Sequence, residues 1–174
     1  MIQKPIFPTN DFFVENNVTR IIQGFYYGAI GEVTGQVAAL NIASIENPAG
    51  SGRRVYIRKI RFSTFSNVGA LAGFVQIGRT VAIPSAGAAS TIQKRAVSDT
   101  NEVAIVRITP TVVAVAGTMF GIFTSTITGN INILELSDAL IILAPGEAIL
   151  VNTVVDSSNQ FFTTSFEWFE VTPD

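Results

Sequence analysis

The segments that decide the fold of this chain are Ala148-Ile-Leu-Val-Asn-Thr-Val-Val155, Asp156-Ser-Ser-Asn159 and Phe161-Phe-Thr-Thr-Ser-Phe-Glu-Trp-Phe-Glu-Val171. The first and the third are rich in β-branched and aromatic residues, which favour strands, and the second has the polar composition of a tight turn. Together they predict two strands that form the closing hairpin of an antiparallel β-sandwich.

The two predicted strands differ in how their apolar residues are distributed. Side chains alternate between the faces of a strand, so Phe166 and Trp168 share one face and are predicted to lie in the core. Phe169 is predicted to face outward or toward a neighbouring subunit. The strand at residues 148–155 is apolar on both faces, which predicts either a subunit contact or a loop or arm laid over it.

The rest of the chain repeats this strand pattern. Short apolar segments recur from residue 31 onward, separated by turn sequences such as Asn47-Pro-Ala-Gly-Ser-Gly52, and no segment has helical periodicity. Residues 31–174 are therefore predicted to form one all-β domain, an antiparallel, jelly-roll-like β-sandwich. Residues 1–30 contain prolines and asparagines around a few large apolar side chains, and they predict an extended N-terminal arm.

One predicted strand, residues 54–65, has an irregular apolar pattern. By alternation Val55 and Ile57 fall on one face, but Ile60 and Phe62 fall on the other. A strand can bury all four only if it contains an extra residue, because a shift of one residue exchanges the faces. The sequence therefore predicts a β-bulge at Arg58-Lys59.

The composition indicates burial beyond that of an ordinary monomer. Apolar residues make up 48% of the 174 residues, charged residues only 14%, and the mean hydropathy is +0.42. This predicts that apolar surface is buried between subunits of a homo-oligomer, with a trimer favoured. The uncharged residues 111–128 contain many threonines and glycines, which favours short strands over a membrane helix, so a membrane partner is disfavoured.

Charge is divided unevenly along the chain. Residues 1–107 contain 11 basic and 6 acidic residues, whereas residues 108–174 contain 7 acidic residues and no basic one, giving +5 and −7 for a total of −2. This division favours packing of one part of the chain against the other, or of a basic surface on one subunit against an acidic surface on a neighbour.

The chain contains no His and no Cys. The commonest general base and metal ligand, and the thiol nucleophile, are therefore excluded. Three carboxylate pairs are close in sequence, Glu135/Asp138, Asp99/Glu102 and Glu167/Glu170, but nothing in their spacing selects one of them for hydrolysis. We expect no catalytic, cofactor or metal site and no enzymatic activity, and we expect residues 98–102 to form a plain turn and not a Ca²⁺ loop.

Basic and aromatic residues supply the candidates for a protein interface. Five cations lie within nine residues at positions 53–61. They could form a phosphate-binding patch, a solvated strand face or an ion-paired interface. The low pI, about 5.1, disfavours nucleic acid as a partner. The candidate interface residues are Phe12, Phe13, Phe25, Tyr26, Tyr27, Arg53, Arg54, Arg58, Lys59, Arg61 and Phe169.

Four short motifs carry a resemblance to a known class of proteins. They are Asn47-Pro-Ala-Gly-Ser-Gly52, Val55-Tyr-Ile-Arg-Lys-Ile60, Leu143-Ala-Pro-Gly-Glu147 and Phe166-Glu-Trp-Phe-Glu170. Over residues 45–171 the chain resembles small jelly-roll virion structural proteins of tailed bacteriophages, of the head decoration, capsid fibre or tail accessory type. The resemblance implies a non-enzymatic virion subunit that assembles as a homo-oligomer and docks on other virion proteins, such as the major capsid protein, with the capsid surface favoured over the tail.

Two alternatives remain open. One is a receptor- or carbohydrate-binding module of a phage tail or fibre, which would use exposed aromatic residues such as Tyr26, Tyr27 or Phe169. The weaker alternative is a hydrolase that uses one of the carboxylate pairs.

Overall fold

A computed structural model describes residues 12–15, 18–34, 40–66, 71–80, 87–108, 115–126, 131–155 and 160–172. Its regular elements are the strands β1 (Phe12–Glu15), β2 (Val18–Thr34), β3 (Leu40–Asn47), β4 (Arg54–Ser66), β5 (Leu71–Thr80), β6 (Ala88–Ala89), β7 (Ile92–Lys94), β8 (Ile105–Ile108), β9 (Val115–Thr126), β10 (Ile131–Leu143), β11 (Glu147–Val155) and β12 (Gln160–Val171). Within these ranges there is no helix, and so no helix that could span a membrane.

The strands form two antiparallel sheets that pack against each other, which confirms the predicted β-sandwich. The first sheet has the order β1-β2-β12-β4-β10, with β7 also paired to β2, and the second has the order β6-β8-β3-β11-β5-β9. Without the short strands β1, β6, β7 and β8, the sheets are β2-β12-β4-β10 and β3-β11-β5-β9. Renumbered in chain order these eight strands give 1-8-3-6 and 2-7-4-5, the strand order of a jelly roll.

This topology corrects the predicted hairpin. Both of its strands exist, but β11 pairs with β3 and β5 in the second sheet, while β12 pairs with β2 and β4 in the first. Consecutive strands of a sandwich often change sheets at a corner, and composition alone does not distinguish such a corner from a hairpin turn.

The predicted bulge in β4 is confirmed. Glu167 of β12 pairs with Lys59, but the next residue, Trp168, pairs with Ile57, so Arg58 is the extra residue. The register with β10 shifts at the same place. As predicted, the four apolar residues that strict alternation would divide between the faces all lie in the core: Val55, Ile57, Ile60 and Phe62.

The core lies between the inner faces of the two sheets. Phe162, Phe166 and Trp168 of β12 are all buried there, as the alternation predicted for the last strand. Tyr26 of β2 stacks on Trp168 with ring centroids 5.7 Å apart and planes inclined by 29°. From the second sheet, residues including Ile45, Ile77, Val106, Ile149 and Val151 complete the cluster.

Residues 18–30, expected to belong to an arm, form the first part of β2. This strand pairs with β12 from Val171↔Ile22 to Phe161↔Thr34, so it is an integral part of the first sheet. Gly28 lies in the middle of this strand. The position requires a glycine, because a Cβ there would come within 2.9 Å of Val106 and 3.2 Å of Trp168. The absence of a side chain at Gly28 therefore provides space for the Trp168 ring. The part of the expected arm before residue 12 lies outside the described residues.

Residues 148–151 of β11 are buried on both faces, which agrees with the prediction for residues 148–155 over this part of the strand. Ile149 and Val151 face the core, while Ala148 and Leu150 on the opposite face are 1% and 0% exposed in the single chain. Because this burial is achieved within one chain, the strand gives no support to a subunit contact. The homo-oligomer therefore stays a prediction.

Candidate binding face on the first sheet

The outer face of the first sheet carries most of the predicted interface cations, and we call it the basic face. Ile57 and Ile60 point into the core, so the bulge places both Arg58 and Lys59 on the outer side. Arg54 and Arg61 flank core residues and lie on the same side. Among the residues whose side chains are described, the carboxylate on this face is Glu167, which pairs with Arg61 at 3.3 Å.

An aromatic cluster lies beside these cations on the basic face. Phe169 stacks on Tyr56 with centroids 4.9 Å apart and planes inclined by 3°, and its centroid is 5.6 Å from that of Phe25. Phe169 thus points away from the core, as predicted, but Tyr56 and Phe25 leave it only 4% exposed. In the single chain, the Phe169 ring is therefore too buried to contact a binding partner.

A cleft of about 280 Å³ opens on the basic face between β7 and the bulge of β4. Gln93 on β7 pairs with Tyr27 on β2, which brings β7 alongside the first sheet. The residues that line the cleft are Phe25, Tyr26, Tyr27, Arg58, Gln93, Lys94, Arg95, Glu167 and Trp168. It therefore combines an aromatic lining with three cations, one amide and one carboxylate.

Two of the cations in the cleft are held by contacts of their own. The guanidinium carbon of Arg95 lies 3.7 Å from the centroid of the Phe25 ring, a cation–π contact. The Lys94 ammonium donates to the Asp99 carbonyl at 3.3 Å and to Asn101 Oδ1 at 2.8 Å. In contrast, the exposed Arg58 makes no hydrogen bond or ion pair with any residue that the structure describes.

Arg53 lies apart from the basic face and has a structural role. It donates to Glu170 Oε2 at 2.9 Å and to the Asn101 carbonyl at 2.7 Å. The Glu170 carboxylate is fully buried. It also accepts hydrogen bonds from the backbone N–H groups of Val103 and Ala104 and from the indole N–H of Trp168. It joins β12 to the segments before β4 and before β8, because Oε2 pairs with the Arg53 guanidinium while Oε1 accepts the backbone and indole hydrogen bonds.

Tyr26 is also a core residue, 3% exposed. Its hydroxyl donates to the Thr100 carbonyl at 3.0 Å and lies 3.3 Å from Thr100 Oγ1. Burial raises the pKa of Tyr26 above its ordinary value of 10.0, although the hydrogen bond to the Thr100 side chain opposes this shift.

The carboxylate pairs proposed from the sequence do not converge where they are described. Glu167 and Glu170 are three residues apart on one strand and lie on opposite faces, each with its own arginine. Asp99 accepts hydrogen bonds from the backbone N–H groups of Ala96 and Phe25, and its own N–H donates to the Ala96 carbonyl at 3.1 Å in a turn that overlaps the start of the predicted turn at residues 98–102. Glu135 and Asp138 have no described side chain. In the described part of the chain, no three carboxylates are grouped closely enough to hold a metal ion.

The uneven division of charge is partly used for ion pairs within the single chain. Three ion pairs join an arginine of the basic first part to a glutamate of the acidic second part: Arg53–Glu170, Arg61–Glu167 and Arg79–Glu147. This agrees with packing of one part of the chain against the other, the first of the two interpretations given above.

The structure thus brings together some of the predicted interface residues. Phe25, Tyr27 and Arg58 meet at the cleft, with Arg54, Lys59 and Arg61 on the same face. Tyr26 and Phe169 are buried, Arg53 holds Glu170, and the side chains of Phe12 and Phe13 lie outside the description. Gln93, Lys94, Arg95 and Glu167 were missed, because only the pairing of β7 with β2 brings the first three to this face.

No protein-family model matches the chain, and no curated protein is similar to it in sequence. One solved chain, from "Structure of infectious bursal disease virus Gx strain", is 13% identical with a TM-score of 0.14. The alignment covers 100% of this chain and 45% of that viral chain. A likeness this weak supports neither a fold nor a function.

Proposed function

We propose that this protein is a non-enzymatic structural subunit of a tailed-phage virion, a capsid decoration or fibre-base subunit that assembles as a homo-oligomer and docks on the particle. The observation that supports this most is the jelly-roll strand order, because jelly rolls recur in viral capsid and lectin domains. This support is an analogy at the level of the fold. The sequence motifs shared with small virion proteins point the same way.

The basic face is the proposed docking surface, and its partner is an acidic surface of another virion protein such as the major capsid protein. Arg54, Arg58, Lys59 and Arg61 lie together there, and the one carboxylate among its described side chains is already paired. Complementary charge of this kind speeds association and fixes orientation, and its effect falls as salt is added.

Particle association tests the docking surface. The protein should be found by mass spectrometry in purified particles of the virus that encodes it, and added protein should bind particles that lack it. The double variant Arg54→Gln, Lys59→Gln should bind about tenfold more weakly, since two charge contacts of about 0.7 kcal/mol each give that factor. Arg79→Gln, which removes a cation from the second sheet, is the control. Absence from particles, or binding unaffected by salt and by the double variant, would overturn the proposal.

Light scattering tests the assembly. The purified chain at micromolar concentration should give a mass that is a multiple of 18.6 kDa, with three copies favoured. A monodisperse species of one chain would remove the homo-oligomer from the proposal, while leaving particle docking to be judged by its own test.

The cleft favours a second candidate, a receptor- or carbohydrate-binding module. Tyr27, at 39% exposure, is one of two large hydrophobic residues that are exposed among the described ones, and it lines this cleft. An exposed tyrosine ring beside polar groups is suited to the apolar face of a sugar, because the ring provides a rigid contact area and little conformational entropy is lost. Binding of the oligomer to a glycan array is the direct test of this candidate.

A further inference from the structure

We propose that the cleft between β7 and the bulge of β4 binds a carboxylate-bearing sugar residue. The inference rests on the second candidate function above and specifies its ligand.

The volume and the aromatic lining fit one sugar-sized group. At about 280 Å³ the cleft is just below the usual range for drug-sized ligands, about 300–1,000 Å³. Its base lies over Tyr26 and Trp168, whose stacked rings are buried on the core side of the sheet, so its aromatic surface is that of Phe25 and Tyr27. Tyr27 stands at the opening with its ring partly exposed, where it can contact the C–H face of a pyranose.

The cations select a ligand that carries a carboxylate. The guanidinium group is planar and matches a carboxylate with two parallel hydrogen bonds. Arg58 reaches the cleft because the bulge turns this extra residue outward, and it has no partner among the described residues. Bulges often redirect a side chain beside a functional site. Arg95 lines the same cleft and is held in position by the Phe25 ring.

The remaining polar groups favour a sugar over a phosphate. The Gln93 amide, which can donate and accept, forms no hydrogen bond with a described residue, so it is available to sugar hydroxyls. Glu167 also lines the cleft, and its carboxylate oxygens can accept hydrogen bonds from sugar hydroxyls. Its negative charge repels a doubly charged phosphate more strongly than a singly charged carboxylate.

Titration of the full-length protein with small ligands tests the site. The probes are galacturonate and N-acetylneuraminate as acidic sugars, glucose as a neutral sugar, and inorganic phosphate, each followed by saturation-transfer NMR. One or both acidic sugars should bind with a Kd of about 1 mM, a typical strength for so small a contact, and at least about tenfold more tightly than glucose. Equal binding of glucose, or tighter binding of phosphate, would overturn the proposal.

Variants assign the binding to the cleft. Arg58→Gln should weaken acidic-sugar binding at least about tenfold, and Arg58→Lys by a smaller factor, because lysine keeps the charge but loses the two-pronged geometry. Arg79→Gln on the second sheet makes the same change in net charge as Arg58→Gln and should bind normally. If Arg58→Gln binds as well as the wild-type chain while both have the same melting temperature, the ligand is elsewhere and the proposal fails.

The same proteins separate this inference from the proposed virion role. Particle docking without acidic-sugar binding would overturn the sugar site alone. Acidic-sugar binding by a protein that is absent from particles would support the site and overturn the docking proposal.

Discussion

The two faces of the first sheet are built from alternate residues of the same strands, yet they differ in what surrounds them. On β12, Phe166 and Trp168 point inward and are enclosed by both sheets, whereas Glu167 and Phe169 point outward among cations and two neighbouring rings. The inner face stabilises the fold by burying apolar surface. The outer face buries only a small aromatic cluster and leaves polar groups available for binding, so substitutions on the two faces should separate stability from recognition.

The largest effect is expected from a deletion that exchanges the inner and outer faces of one half of β4. Deleting Arg58 removes the extra residue of the bulge, so either Val55 and Ile57 or Ile60 and Phe62 would have to turn outward. We expect the deletion variant to be insoluble or unfolded, as judged by circular dichroism. Arg58→Ala keeps the residue count and should change the unfolding free energy by no more than about 0.5 kcal/mol. A folded deletion variant of wild-type stability would show that the bulge is dispensable.

The next effect compares two rings of β12 that point to opposite faces of the sheet. Trp168→Ala should lower the unfolding free energy by about 3–5 kcal/mol, because it opens a cavity under Tyr26 in the main core. Phe169→Ala should cost less, at most about 3 kcal/mol, since its smaller cluster can collapse toward solvent. Urea unfolding of both variants measures the difference, and a larger loss for Phe169→Ala would reverse the proposed ranking of the faces.

The two glutamates of β12 provide the same comparison for charge. Glu170→Gln leaves Arg53 without its carboxylate in a buried site, where breaking an ion pair costs about 3–5 kcal/mol. Glu167→Gln breaks an exposed pair with Arg61 and should cost less than about 1 kcal/mol. Chemical denaturation at neutral pH checks both values. Equal losses would mean that Glu170 is not the main connection between its three chain segments.

The smallest effect concerns a single hydroxyl. The raised pKa of Tyr26 means that the folded chain keeps a proton which the unfolded chain releases near pH 10. This stabilisation is fully present below pH 10 and is lost as the pH rises above it. Tyr26→Phe should therefore flatten the fall of the unfolding free energy above pH 10, and it should cost about 1 kcal/mol at neutral pH through the lost bond to Thr100.

Tyr27→Phe is the matched control at neutral pH, since the Tyr27 hydroxyl bonds to no residue in the described part of the chain. If Tyr26→Phe has the same alkaline profile as the wild-type chain, ionisation of Tyr26 does not contribute to alkaline unfolding.

Features encoded by local alternation could be predicted from the sequence. The bulge at Arg58 and the inward face of β12 follow from counting residues between apolar positions, and both were confirmed. The wrong hairpin and the misplaced boundary of the arm have another origin. Whether β11 pairs with β12, and whether residues 18–30 form a strand of the sheet, depends on partners that are distant in sequence.

The candidate site was predictable only in part for the same reason. Arg58 and Tyr27 were named as interface residues from their own segments. Gln93 and Arg95 carry no local signal, because their role depends on the pairing of β7 with β2. The burial of Tyr26 and Phe169 likewise follows from rings that other strands supply.

The position of β12 between β2 and β4 also has a consequence for synthesis and folding. Both neighbours leave the ribosome long before residues 160–171 do, so each has an open edge facing a gap that only β12 fills. Such edges are templates for pairing with other chains, and contacts this distant in sequence form slowly. A nascent chain that stalls before Gln160 is therefore expected to be recruited into aggregates or bound by chaperones, and the first sheet closes only once its last strand arrives.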